Sequence, residues 1–274
     1  MLEAMQDDRI LVMDSVTKIE PQDFGKVLIA ASHGGVYAGY LAALGHGRGV
    51  VLNDAGGGLD GAGYGALDWA DGFGMPVAVV DCMSARIGDG KDMAANGLIS
   101  RINASAAKAG CSVGMEAWDA AKLMLAAEMW SGDAPSLPES RFQIDEVPGK
   151  RKVFGCDSAS LIKEDEDAGQ VVVCGSHGGL FAGNSAYILK APLFGVILND
   201  AGRGKDDAGV QRVFAAERMG IAAAAVASTS ARIGDARSAW DTGIISVMNG
   251  LAERVGGRVG MTSKEYVAVL QTAE

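Results

Sequence analysis

Short, uninterrupted apolar runs punctuate this chain, separated by stretches where small apolar and polar residues mix. Residues 26–32 (KVLIAAS), 49–54 (GVVLND) and 76–81 (PVAVVD) are apolar without a two-residue alternation. That pattern predicts parallel strands buried on both faces. VYAGYLAAL (36–44) and the stretch through GALDWADGFG (65–74) predict helices. DMAANGLISRINASAAKAG (92–110) predicts one long helix stopped by Gly110. The rhythm is β-α-β-α-β, as in parallel α/β sheets.

The rhythm then returns in QVVVCGS (170–176), FGVILND (194–200) and IAAAAVAS (221–228), and polar strings return with it. SHGG occurs at 32–35 and 176–179, LNDAG at 52–56 and 198–202, and SARIGD at 84–89 and 230–235. Gly97, Ser100 and Asn103 match Gly243, Ser246 and Asn249, and MDSVTKI (13–19) matches CDSASLI (156–162). The chain therefore reads as a tandem duplication of one α/β unit, with mainly parallel sheets related by a pseudo-two-fold axis. The expected division is a first repeat over 1–130, a linker over 131–148 and a second repeat over 149–274. Three of the six prolines lie in 131–150, which suits an extended connection.

Almost every repeated polar residue falls at the C-terminal end of a predicted strand, the edge where open α/β sheets bind ligands. His33 and His177 are two of only three histidines and hold equivalent positions. They are the first candidates for acid/base chemistry. Asp54 and Asp200 are candidates to orient them, and Ser84 and Ser230 are candidate catalytic hydroxyls. The backbone amides of Gly34, Gly35, Gly178 and Gly179 are expected to stabilise oxyanion charge. Ser32, Ser176, Asn53 and Asn199 are candidate substrate contacts, and Arg86, Arg232 and Arg203 are candidate anion holders. Arg203 and Lys205 replace Gly57 and Leu59 of the first copy, which favours the second copy as the anion-binding half. Each string also has a structural reading: tight strand-to-helix packing for Gly-Gly, turn chemistry for Asn-Asp, and a helix cap paired with arginine in SARIGD.

Composition narrows the partners. A net charge of −10 over 274 residues gives no footprint for nucleic acid, and no basic cluster suits an anionic membrane. No apolar run reaches membrane-spanning length, and the N-terminal residues lack the form of a signal peptide. Four cysteines without a C-x-x-C pair fit a reduced, cytoplasmic protein. The glycine turns are neither a P-loop nor a dinucleotide fingerprint. SHGG followed by LNDAGRG is similar to the His-Gly and acid-Ala-Cys strings of caspase-like peptidases. Ala55 and Ala201 follow the aspartates here, so the nucleophilic cysteine has no counterpart and peptidase activity is not carried over.

The sequence thus points to an enzyme, a hydrolase first, acting on a small anionic, carboxylate-bearing molecule. One alternative is a metal-dependent enzyme with His33, Asp54, His177 and Asp200 as ligands of a divalent ion; no motif demands a cofactor. Another is a non-catalytic binding or assembly protein. The sequence leaves open a homo-oligomer, and whether the two histidines share one cleft.

Overall fold

The computed structural model describes residues 6–182 and 188–273. The first repeat forms a five-stranded sheet from β1 (Ile10–Met13), β2 (Val27–His33), β3 (Gly49–Asn53), β4 (Val77–Val80) and β5 (Ile99–Ile102), paired in sequence order. The first four strands run parallel and β5 is antiparallel. A six-stranded sheet of the second repeat adds β6 (Arg141–Asp145), antiparallel to β7 (Val153–Cys156). Parallel β8 (Val171–His177), β9 (Gly195–Asn199) and β10 (Ala222–Val226) follow, then antiparallel β11 (Ile245–Met248). The chain is a two-unit α/β fold.

Each sheet is covered on both faces, as the apolar runs require. Val27, Ile29 and Ala31 of β2 point to the face packed by α3 (Gly90–Asn96), α4 (Ala104–Lys108) and α5 (Ala117–Met124). Leu28 and Ala30 point to the face packed by α1 (Val36–Leu44) and α2 (Ala66–Asp71). The second repeat follows suit. After the short α6 (Glu164–Asp167), α7 (Gln211–Ala215) packs on one face. The other face carries α8 (Ala236–Thr242), α9 (Gly250–Arg254) and α10 (Ser263–Thr272).

Two sequence expectations are corrected. The stretch 92–110 is a helix, a strand and a helix. Gly97 leaves the helix in an extended conformation, close enough to Met93 O that a Cβ would lie 2.5 Å from it, and LISRI continues as β5. Ser100 and Asn103 explain why. Ser100 Oγ donates to Asp54 Oδ2 (2.8 Å), and Asn103 caps α4 through its Oδ1 (2.8 Å) while donating to Met75 O (2.8 Å). Ser246 and Asn249 repeat these contacts. The second correction concerns the proline-rich connection, which contains β6 and so extends the second sheet.

The repeats meet through reciprocal contacts, the mark of a two-fold relation. Leu59 N donates to Ser228 O and Lys205 N to Cys82 O, both at 2.8 Å. Arg86 pairs with Asp206 (3.1 Å) and Arg232 with Asp60 (2.6 Å). Gly56 and Gly202, both at positive φ, abut so closely that a Cβ on either would lie 2.8 Å from the other's Cα. Ala55, Ile87, Ala201, Ala208 and Ile233 form a small apolar cluster here from both repeats.

Candidate functional site

Strand order in each sheet is sequential, so neither sheet contains the order reversal that opens a ligand crevice in doubly wound folds. The cavity lies instead between the repeats, where the ends of β2 and β8 face each other. It encloses about 670 Å³, within the range of small-molecule sites. His33 and His177 both line it, their ring centroids 6.5 Å apart and edge-to-face. The two histidines share one cleft.

Each imidazole is fixed by its own glycine. Gly35 N–H donates to His33 Nδ1 (3.1 Å), and Gly179 N–H donates to His177 Nδ1 (3.0 Å). A neutral ring that accepts at Nδ1 carries its proton on Nε2. Burial pushes the His33 pKa down to about 4. Burial also holds His177 well below its usual value, reinforced by the charge of Arg212 and by His33. Both rings are thus neutral near pH 7, each with an Nε2–H to donate.

Ser32 and Ser176 line the same cavity and fix its rim. Ser32 Oγ accepts Val16 N–H (3.0 Å), and Ser176 Oγ accepts Ala159 N–H (2.9 Å). That explains the repeated MDSVTKI and CDSASLI strings, whose loops line the cavity. Tyr37, Ala38 and Leu41 of α1 supply one apolar wall; Phe181, Ile188 and Leu189 supply another. Residues 180–182, at the position of the start of α1, are not helical: Ala182 has φ +47° and its N–H donates to Gly88 O (2.7 Å). The second wall is therefore built differently from the first.

The remaining sequence candidates lie elsewhere, and their expected roles are corrected. Gly34 N–H donates to Asn53 O (2.7 Å) and Gly178 N–H to Asn199 O (2.8 Å). With the Gly35 and Gly179 amides held by imidazole, all four candidate oxyanion amides are engaged within the protein. Gly34 and Gly178 serve close packing: a Cβ on Gly34 would lie 2.6 Å from Gly63 O, and one on Gly178 2.7 Å from Gly209 O.

Asp54 and Asp200 do not orient the histidines. Asp54 Oδ1 accepts Gly56 N–H and Cys82 N–H, both at 3.0 Å, while Oδ2 takes the Ser100 hydroxyl. Asp200 repeats this with Gly202, Ser228 and Ser246. Asn53 and Asn199 are buried, donating to Ala85 O and Ala231 O and accepting Ala55 and Ala201 N–H. Ser84 and Ser230 close turns, donating to Asp81 O and Ala227 O.

Arg86 pairs with Asp89, Asp92 and Asp206, Arg232 with Asp60 and Asp235, and Arg203 with Asp207. Lys205 is held by Asp92 across the repeat interface (2.9 Å). Arg86, Arg232 and Lys205 tie the two repeats together, Arg203 pairs within the second repeat, and neither Arg203 nor Lys205 lines the cavity. The four-ligand metal set also fails, because Asp54 and Asp200 serve loop amides outside the cavity. Among the described residues, Asp54, Asp81 and Cys82 place metal-type donors within 4.8 Å of one another. There the Cys82 thiol is pushed up to about 12, by burial first and then by Asp54.

Four cavity residues that bear on the chemistry escaped sequence reasoning. Arg212 is 4% exposed and takes the place of Ala66; Arg212 N–H donates to Gly178 O (2.6 Å) as Ala66 N–H does to Gly34 O (2.9 Å). Lys18 takes the place of Leu161, and Tyr37 that of Phe181. Glu139 reaches in from the connection between the repeats. Its pKa is raised by burial, opposed by hydrogen bonds from Tyr37, Ser158 and Ser160. Listing where the copies differ would have flagged Arg212 and Lys18; nothing in sequence places Glu139 in the cavity. Compared with known proteins, the chain matches no family model, no curated protein and no solved structure.

Proposed function

We propose that the protein is an enzyme acting on a small carboxylate-bearing molecule in the cavity between the repeats, by hydrolysis. The pairing of His33 and His177 in one cavity, each with Nδ1 held by a backbone amide, carries this reading. The rings act as neutral donors, because base chemistry at Nε2 would first require moving the proton and giving up the glycine contact. Two Nε2–H groups aimed at one carbonyl oxygen supply the stabilisation of developing charge first assigned to the glycine amides. Glu139, a half-buried carboxylate with a raised pKa, is the proton carrier. Water adds to the polarised carbonyl carbon, its proton passes to Glu139, and Glu139 returns that proton to the leaving group.

A screen of small carboxylates bearing an amide or ester bond, with ligand binding followed by calorimetry, tests the reading. His33→Ala/His177→Ala is expected to abolish turnover while the protein remains folded. Full turnover in that variant contradicts it. Binding without turnover, unchanged in Glu139→Gln, favours a non-catalytic binding protein.

A further inference from the structure

The histidines and the two strand-end serines of the cavity obey the two-fold relation, but two of its cations do not; a third, Lys190, donates to Ser160 O. Arg212 stands where the first repeat has Ala66, and Lys18 where the second has Leu161. Both cations converge on one ring: Lys18 Nζ lies 5.1 Å and the Arg212 guanidinium 5.6 Å from the Phe181 centroid. Arg212 is buried in the wall, whereas Lys18 is exposed at the rim. A guanidinium carries five N–H donors, so one that lines a cavity can recognise a carboxylate while keeping its contacts within the protein. Its field also falls on His177, the more buried of the two imidazoles.

We infer that the cavity binds its substrate in one orientation, with the carboxylate at the Phe181 end held by Arg212 and Lys18, and the reacting carbonyl toward the histidines. The opposite wall, formed by Tyr37, Ala38 and Leu41, is left for the apolar body. The substrate class is therefore a monocarboxylate with an apolar tail and a carbonyl group between the two ends. A dicarboxylate would place its second charge against the wall that lacks a guanidinium. This inference rests on the proposed function and adds the direction in which the ligand lies.

The test measures Kd by calorimetry for N-phenylacetylglycine and N-hexanoylglycine, and for the primary amides that replace each carboxylate. Wild type is expected to bind the acids at least about tenfold more tightly than the amides. In Arg212→Gln, acid binding is expected to weaken about 10- to 100-fold, as for loss of a charged hydrogen bond, with little change for the amides. Lys18→Ala, at an exposed position that leaves folding intact, is expected to weaken the acids by a smaller factor in the same direction. Equal loss for acids and amides in both variants, or no loss in either, overturns the inference and leaves the proposed function standing. No binding of any probe by wild type contradicts the proposed function and the inference together. Should Arg212→Gln fail to fold, Lys18→Ala alone decides: an unchanged acid-to-amide ratio overturns the inference.

Discussion

The first-repeat wall of the cavity offers Ser32, His33, Tyr37 and Leu41; the second-repeat wall offers Ser176, His177, Phe181 and Arg212. The residues common to both walls do the same job twice. Each serine accepts an amide from the loop beneath it, and each histidine accepts the amide of the second glycine after it. The residues that differ change the chemistry, putting a buried cation on one side and a phenol on the other. Duplication preserved the frame around two neutral imidazoles, and divergence gave the cavity a direction. Outside the cavity, the repeated aspartates, asparagines and arginines hold loops and the junction between the repeats.

The largest expected effect tests whether the two histidines work as one site. His33→Ala and His177→Ala, separately, are each expected to lower kcat about 10²- to 10³-fold, as for loss of one oxyanion donor. Steady-state kinetics of the single and double variants checks this. A loss of only about half of kcat in each single variant, as for two independent sites whose rates add, would break the comparison.

Next in size are Gly34→Ala and Gly178→Ala, which should destabilise the protein by similar amounts, about 1–3 kcal/mol for overpacking. Each added Cβ meets a backbone carbonyl that cannot easily yield. Urea denaturation measures both, and a strongly unequal pair would show that the frame is not equivalent on the two sides. Asp54→Ala and Asp200→Ala should likewise cost about 1–3 kcal/mol each, because three donors, most of them partly buried, lose a shared charged acceptor. A loss of kcat in either variant without loss of stability would return these carboxylates to the chemistry.

Stability should also depend on pH through the imidazoles. His33 is held down to about 4, from an ordinary value of 6.5, and His177 well below that value. As pH falls through this window the unfolded chain takes up protons that the folded chain refuses. Stability is therefore fully present above the unfolded value and is lost toward the folded one. The melting temperature should drop as pH falls from 6.5 toward 4, and less so in His33→Asn/His177→Asn. An identical drop in that variant would assign the acid sensitivity elsewhere. The smallest effect is expected at the junction: Arg232→Ala, in a half-exposed ion pair with Asp60, should cost about 0.2–1 kcal/mol.

Much of the fold was legible because apolar runs such as KVLIAAS admit few alternatives to a buried parallel strand. The errors have physical causes. LISRI was read into a helix because its neighbours favour helix; its pairing with β4 and the hydrogen bond from Ser100 to Asp54 are tertiary and invisible locally. The repeat located the polar residues at the strand ends, and the Ser-His pair of each SHGG does line the cavity. Repetition alone could not separate residues that face a ligand from those that pin a loop. Asp54 and His33 are duplicated alike, yet one accepts loop amides outside the cavity and the other lines it. Arg212 showed the reverse, since its absence from the first copy is what marks it.

The central claim is that His33 and His177 are neutral donors sharing one site. Nitrogen-15 NMR of histidine-labelled protein at neutral pH, before and after adding a carboxylate that binds, tests it most directly. The account predicts that both rings are neutral with the proton on Nε2, and that a single bound ligand shifts the Nε2–H signals of both. A protonated ring, a proton on Nδ1, or a ligand that perturbs only one of the two rings would contradict it.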